Sequence, residues 1–341
     1  MTGATETRGK IAAARLGLLF CIFFLIACGL GYPVLNRFDP RQTPGLSDVK
    51  NYAAMVNGTV GADAGHVRFR VLVPWIARLF YRLALGRAGS WDPVMFGLLV
   101  ADSLFVAGTA VLIVMLGARW LSSAAGLVGA FVFLVNFAVP NLRVVGLVDA
   151  GEGFFLLALL WSLSERALWA LPLIGVLGTL TKESFVPFSI VLSAAWWLST
   201  RDDQGSTRQR LAIWILVSWA LSFAAMMGLQ RAITDRIVSP LEFGVGLHHG
   251  GDYIAHFIAS LGDRNLWYIF GWLLPCAVLD VRRLPRTWLI AVSAACVMAF
   301  GLDAYFGGAP GTVGRALFSI AGPCLSLSCA LFLLRIAGEA V

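Results

Sequence analysis

The stretch LGLLFCIFFLIACGLGYPV, residues 16–34, decides the fold. No charge interrupts it, and a helix of that length, rising 1.5 Å per residue, reaches about 28 Å, close to the ~30 Å hydrocarbon thickness of a bilayer. Its length and the lack of a small-residue cleavage signature predict a retained first span rather than a removable signal peptide. Arg8, Lys10 and Arg15 precede it, which predicts a cytoplasmic N-terminus.

Working outward, comparable apolar runs recur along nearly the whole chain. Of the 341 residues, 59% are hydrophobic and 13% charged, and the mean hydropathy is +0.80. Soluble domains carry roughly 25% charge. The runs are continuous rather than alternating, which argues against a β-barrel. The expectation is an all-α, polytopic transmembrane protein whose single membrane domain covers residues 1–341. Many basic residues behind the net charge of +7 sit in short loops beside apolar runs, so they are read as orienting the spans and not as contacting nucleic acid. Six cysteines lie in or near apolar runs without CxxC spacing, which predicts buried free thiols.

After residues 16–34 the next unambiguous span begins near Pro93, leaving residues 35–92 as a long outer loop. Within it, VLVPWIARLFYRLAL (residues 71–85) is too short and too charged to span. It has an apolar face, with Arg78 and Arg82 four apart on another, and predicts an interfacial helix. Later spans are expected at residues 93–116, 122–139, 147–163, 211–229, 266–279, 288–302 and 317–334. Between Arg166 and the basic residues Arg201, Arg208 and Arg210 the chain must cross an even number of times. A hairpin of two short helices turning at TKES (residues 181–184) meets that demand and gives about ten crossings, with both termini cytoplasmic. Residues 230–265 form the second large outer loop.

This topology places Arg68, Arg70, Arg143, Lys182 and Arg315 on the outer side, three of them in short loops or at span ends where basic residues are disfavoured. As a set they point to a phosphate-bearing ligand, since guanidinium groups pair bidentately with phosphate and lysine acts as a mobile point charge. Pairing with nearby carboxylates or lipid headgroups is the simpler account of any one of them. Asp149 and Glu152, three apart in GLVDAGEGFF, share a helical face and should turn towards a polar cavity. Glu183 joins Lys182 in the turn. Asp102 reads as an internal hydrogen-bonding residue. LHHGGDYIAH contains His248, His249, His256 and Asp252. Their spacing matches no zinc signature, so a loop contacting the acceptor or a solvated turn is preferred, with a divalent metal left open and no other cofactor expected.

The segments SDVKNYAAM (residues 47–55), RFRVLVPWIARL (68–79), GLVDAGEGFFLLALLW (146–161) and LGTLTKES (177–184), with the span layout, resemble the membrane glycosyltransferases of the GT-C class. Members of that class share a long first outer loop with a catalytic carboxylate, interfacial helices and many spans. The chain departs from the paired-acid form of the loop motif, because Asp39 and Asp48 are separated, and it lacks the large C-terminal soluble domain of the oligosaccharyltransferases. The resemblance implies sugar transfer from a polyprenyl-phosphate carrier to a glycan or lipid acceptor on the extracytoplasmic face of a bacterial plasma membrane.

It further implies Asp48 as the general base, with Asp39 second. Tyr52, one turn after Asp48, would orient it or touch sugar. Arg68, Arg70, Arg143, Lys182 and Arg315 would hold the lipid phosphate, while Trp75, Tyr253 and Tyr305 either stack on sugar or, the preferred reading, anchor at the interface. No nucleotide-binding motif is present, which favours a lipid-linked donor. The alternative class is a transporter or flippase of an anionic lipid-linked glycan. That class expects polar groups at both faces, whereas here they concentrate on one.

Overall fold

A computed structural model describes residues 2–37, 47–59, 62–200, 205–235, 237, 251–307 and 312–339. The described residues form helices, turns and loops, with no strand among them. Helix α1 covers Thr2–Arg37, α2 Ser47–Asn57, α3 Leu72–Ala84, α4 Pro93–Trp120 and α5 Ser123–Val135. Next come α6 Asp149–Ser164, α7 Ala170–Thr181, α8 Phe185–Ser199 and α9 Gly205–Thr234. The chain ends with α10 Tyr253–Leu261, α11 Arg264–Phe270, α12 Leu273–Val278, α13 Arg286–Phe306 and α14 Thr312–Ile336. A 3₁₀ segment, Ala62–Phe69, precedes α3, and a single π-helical turn, Val139–Arg143, follows α5.

Local chemistry starts these helices where it should. Asp92 caps α4 by accepting from the Val94 and Met95 amides at 2.8 and 3.1 Å, with Pro93 at the first helical position, where its missing N–H costs nothing. Ser122 caps α5 through the Ala125 amide at 3.1 Å. Asp252 and Asp263 cap α10 and α11 in the same way.

Among the described residues, five segments are long and apolar enough to cross a membrane: Ala13–Leu35, Pro93–Trp120, Ser206–Thr234, Arg286–Phe306 and Thr312–Ile336. The chain is thus a helical membrane protein with several candidate spans. Two of the five, α4 and α14, are buried over 72% and 83% of their apolar windows and form the central pillars. Around α4 pack α1, α3, α5 and α6, while α14 packs against α5, α6, α12 and α13. Helices α1, α9 and α13 are peripheral and present exposed Leu18, Leu25, Ile213, Leu216 and Val297, as a lipid-facing surface would. Small residues bring α4 and α5 together, since a Cβ on Gly117 would stand 2.3 Å from the Gly126 Cα.

The expected layout of about ten spans meets two physical differences. Helices α5, α7 and α8 are short; the 12 residues of α7 rise about 18 Å, well under the ~30 Å hydrocarbon thickness. The apolar run at residues 266–279 is divided between α11 and α12 and is not one helix. Pro275 explains the break: it has no N–H for the carbonyl of Gly271, and its ring crowds that carbonyl.

The helical hairpin at residues 170–199 is present as α7 and α8, joined by Lys182, Glu183 and Ser184. Between α1 and α4 lie α2, the 3₁₀ segment and α3, and the helix expected over residues 71–85 is observed as Leu72–Ala84. Helix α3 buries Val73, Pro74, Ala77 and Ala84 against the bundle and leaves Trp75, Leu79 and Leu83 exposed at one-turn intervals. All six cysteines are free, Cys324 and Cys329 being fully buried and Cys21 exposed.

Candidate functional site

Side chains from six elements meet where α2, the 3₁₀ segment, the π-helical turn, α6, the α7–α8 turn and α14 come together. Arg70, just past the 3₁₀ segment and only 7% exposed, is the hinge of one half. Its Nε donates to Glu183 at 2.8 Å, and its Nη2 also bonds Glu183, a bidentate clamp. Its Nη1 donates to the Tyr52 hydroxyl at 2.8 Å and reaches Asp48 at 3.4 Å. Asp48 and Tyr52 stand one helical turn apart on α2, so one face of that helix presents both to the same guanidinium. His66 completes this half, with Nε2 3.8 Å from Glu183.

Lys182 starts the second half. Its Nζ donates to Asp149 at 2.8 Å and Glu152 at 3.0 Å. Ser184 bonds the other oxygen of Glu152, and Arg315 stands 3.6 Å from Asp149. Arg143 donates to the main-chain carbonyl of Asp149, to that of Arg315 at 3.2 Å and to the Ser319 hydroxyl at 2.7 Å. Its guanidinium also lies 5.4 Å from the Phe318 ring centroid, a cation–π distance.

The sequence folds this way for local reasons. Asp149 and Glu152 occupy the first turn of α6, where the helix dipole favours negative charge, and Lys182 follows the last residue of α7, where it favours positive charge. The glycines of DAGEG provide the clearance. A Cβ on Gly151 would lie 2.7 Å from Thr181, and one on Gly153 would lie 2.7 Å from Arg143 Nη1. The spaces on either side of Glu152 are therefore filled by the α7 terminus and by Arg143.

Burial and charge act against each other outside the helical spans. Burial would raise the Glu183 carboxyl, but the Arg70 clamp outweighs it and holds the group down at about 2. Burial pushes the His66 imidazole below its ordinary value, more strongly than Glu183 pulls it up, so it is neutral near pH 7. Burial also raises the Tyr52 hydroxyl, against the pull of Arg70, which keeps it protonated.

The cluster pairs Asp48, Glu183, Asp149 and Glu152 with Arg70, Lys182 and Arg315, and Arg143 is held by carbonyls and a hydroxyl. The buried carboxylates, Arg70 and Lys182 are therefore paired within the protein, as buried charge must be, whereas the Nε of Arg143 is buried without a hydrogen-bond partner among the described residues. Asp48 and His66 form its rim, with side chains 33% and 34% exposed, against 3% for Asp149 and 0% for Glu152. Chemically, the rim offers a reachable carboxylate beside a fixed guanidinium. The interior offers Lys182, two of whose three ammonium hydrogens go to Asp149 and Glu152.

Of the residues singled out in the sequence, Asp48, Tyr52, Arg70, Arg143, Asp149, Glu152, Lys182, Glu183 and Arg315 are brought into this cluster. Arg68 is not among its hydrogen-bonded members; its guanidinium packs 5.1 Å from the Phe69 ring. Tyr305 stacks on Tyr253 at 6.1 Å, on α13 and α10. Asp39 and His249 lie outside the described residues, as does His248. Among the described residues no group of His, Cys, Asp and Glu side chains is placed to hold a metal ion.

Three participants escaped sequence reasoning: His66, Ser184 and Ser319. Ser184 ends the TKES turn beside Lys182, a local signal that was available. His66 and Ser319 meet partners far along the chain and carry no such mark. Asp102 does bond internally, accepting from the Gly146 amide at 3.0 Å, and so secures the loop ahead of α6. No protein-family model matches the chain, and no curated protein matches it in sequence.

Proposed function

We propose that the chain is a polytopic membrane glycosyltransferase of the GT-C type, taking a sugar from a polyprenyl-phosphate donor and passing it to a glycan or lipid acceptor at the extracytoplasmic face. One observation carries the reading: Asp48 lies at the accessible rim of a cluster whose interior holds fixed cations, its oxygen 3.4 Å from Arg70. In this reading the short helices α5 to α8 and the α11–α12 pair cross with the five long segments, giving about ten passages and cytoplasmic termini.

The acceptor hydroxyl attacks the anomeric carbon as the bond from that carbon to the phosphate oxygen breaks. Asp48 takes the hydroxyl proton, the electron pair of the broken bond leaves on the lipid phosphate, and the anomeric centre inverts. A phosphate leaving group needs no strong acid but gains from positive charge held in place beforehand. Lys182 and Arg315, steadied by Asp149, are suited to that task, and Arg143 braces the backbone of Asp149 and Arg315. Arg70 fixes the carboxylate of Asp48 while Tyr52 and Glu183 hold Arg70.

Steady-state kinetics of Asp48→Asn with a polyprenyl-phosphate sugar test the assignment. Turnover should fall by about 100- to 10,000-fold, the contribution of a general base, with donor binding within about threefold of wild type. Normal turnover in a folded Asp48→Asn protein would remove Asp48 from the base role.

A further inference from the structure

A second site lies at the far end of α3 from Arg70. Phe80, Leu83 and Ala84, spaced to share one face of α3, combine with Arg87, Trp91 and Phe96 beyond its end to line an open groove of about 420 Å³. That volume falls within the ~300–1,000 Å³ common for ligand sites. The walls are aromatic and aliphatic, and Leu83 is 58% exposed, so the groove offers apolar surface that water covers at a cost.

Arg87 distinguishes this groove from ordinary lipid-facing surface. It is an exposed guanidinium on an otherwise apolar lining. One of its hydrogen bonds, from Nη1 to the Leu83 carbonyl at 3.2 Å, caps the end of α3 and orients the group. Among the described residues no carboxylate pairs with it, since nearby Asp92 is directed at the amides of Val94 and Met95. A positive group with donors to spare at the mouth of an apolar groove complements an acyl chain that ends in an anionic head. The exposed stripe Trp75, Leu79 and Leu83 on the same helix supplies a continuous apolar approach from the bilayer.

We propose that this groove binds one acyl chain of an anionic phospholipid, with the lipid phosphate on Arg87. The site is separate from the charged cluster and does not depend on the glycosyltransferase reading. Its function is to hold α3 against α4 through a resident lipid, at the corner that connects the first loop to the bundle.

Native mass spectrometry of the full chain, delipidated in detergent and offered phosphatidylglycerol, phosphatidylcholine or a polyprenyl monophosphate, tests it. The wild type should retain one phosphatidylglycerol with at least tenfold preference over phosphatidylcholine. Arg87→Gln should abolish that preference, and Ala88→Phe, which fills the groove without changing charge, should lose the bound lipid altogether. Leu83→Trp, at an exposed position, serves as a second filling variant should Ala88→Phe fail to fold. Equal retention of both phospholipids by the wild type, unchanged retention in the folded variants, or a polyprenyl monophosphate that the wild type retains in place of phosphatidylglycerol and Arg87→Gln loses would each overturn the proposal.

Discussion

Arg70 is the residue on which the rim of the site depends. It is buried, always charged, and clamped by both oxygens of Glu183. Arg70→Gln leaves Glu183 buried without its cation, a loss expected to cost about 3–5 kcal/mol. Arg70→Gln combined with Glu183→Gln should be less destabilising than Arg70→Gln alone, and unfolding midpoints in detergent for wild type and variants check this. The same pair sets an acid response. With its folded-state carboxyl held at about 2 against an ordinary 4.5, Glu183 contributes stability fully above pH 4.5, and that contribution fades as pH falls towards 2. The stability gap between wild type and Glu183→Gln should therefore be flat from about pH 5 upward and shrink on acidification, as pH-resolved unfolding will read. Lys182, Glu183, Asp149 and Glu152 are legible in the sequence because charge in an apolar chain is costly and stands out. His66 and Ser319 are not, because their partners come from elements far away in sequence.

At the scale of elements, close approach determines whether the charges can meet. Helix α6 begins with DAGEG, and Arg143 on the π-helical turn fills the space that a side chain at Gly153 would need. Gly153→Ala puts a methyl group 2.7 Å from Arg143 Nη1 and should cost about 1–3 kcal/mol through overpacking. Because Arg143 also bonds the carbonyls of Asp149 and Arg315, the variant should lower transfer activity as well as the unfolding midpoint. Activity loss without any change in stability would show that the packing argument is misplaced. The helices themselves are mostly evident from apolar runs, caps and breakers: α3, α4, α5, α6 and α13 fall close to the expected limits, and α7 and α8 form the expected hairpin about TKES. The run at residues 266–279 is the exception. Its hydropathy suits one span, yet Pro275 divides it, since a missing backbone donor weighs more on a helix than the surrounding apolar residues can offset.

For the whole molecule, two buried pillars, α4 and α14, carry the peripheral apolar helices, and the charged cluster forms where the first loop and the α7–α8 turn meet the starts of α6 and α14. Composition makes the membrane class legible at once. The number of crossings is harder to read, because short helices inside a bundle need not span the bilayer alone. The proposed ten crossings would put both termini on the same face, so protease protection of terminal tags in sealed vesicles should report identical accessibility; opposite accessibility would make the number of crossings odd and contradict that proposal. The central claim is that the cluster cleaves a sugar–phosphate bond and does not pass an intact lipid. Its most direct test is product analysis in proteoliposomes of the purified protein supplied with polyprenyl-phosphate sugar and acceptor. The account expects one new glycosidic bond for each polyprenyl phosphate released. Transfer of the intact sugar-bearing lipid to the other leaflet, with no polyprenyl phosphate released, would contradict it.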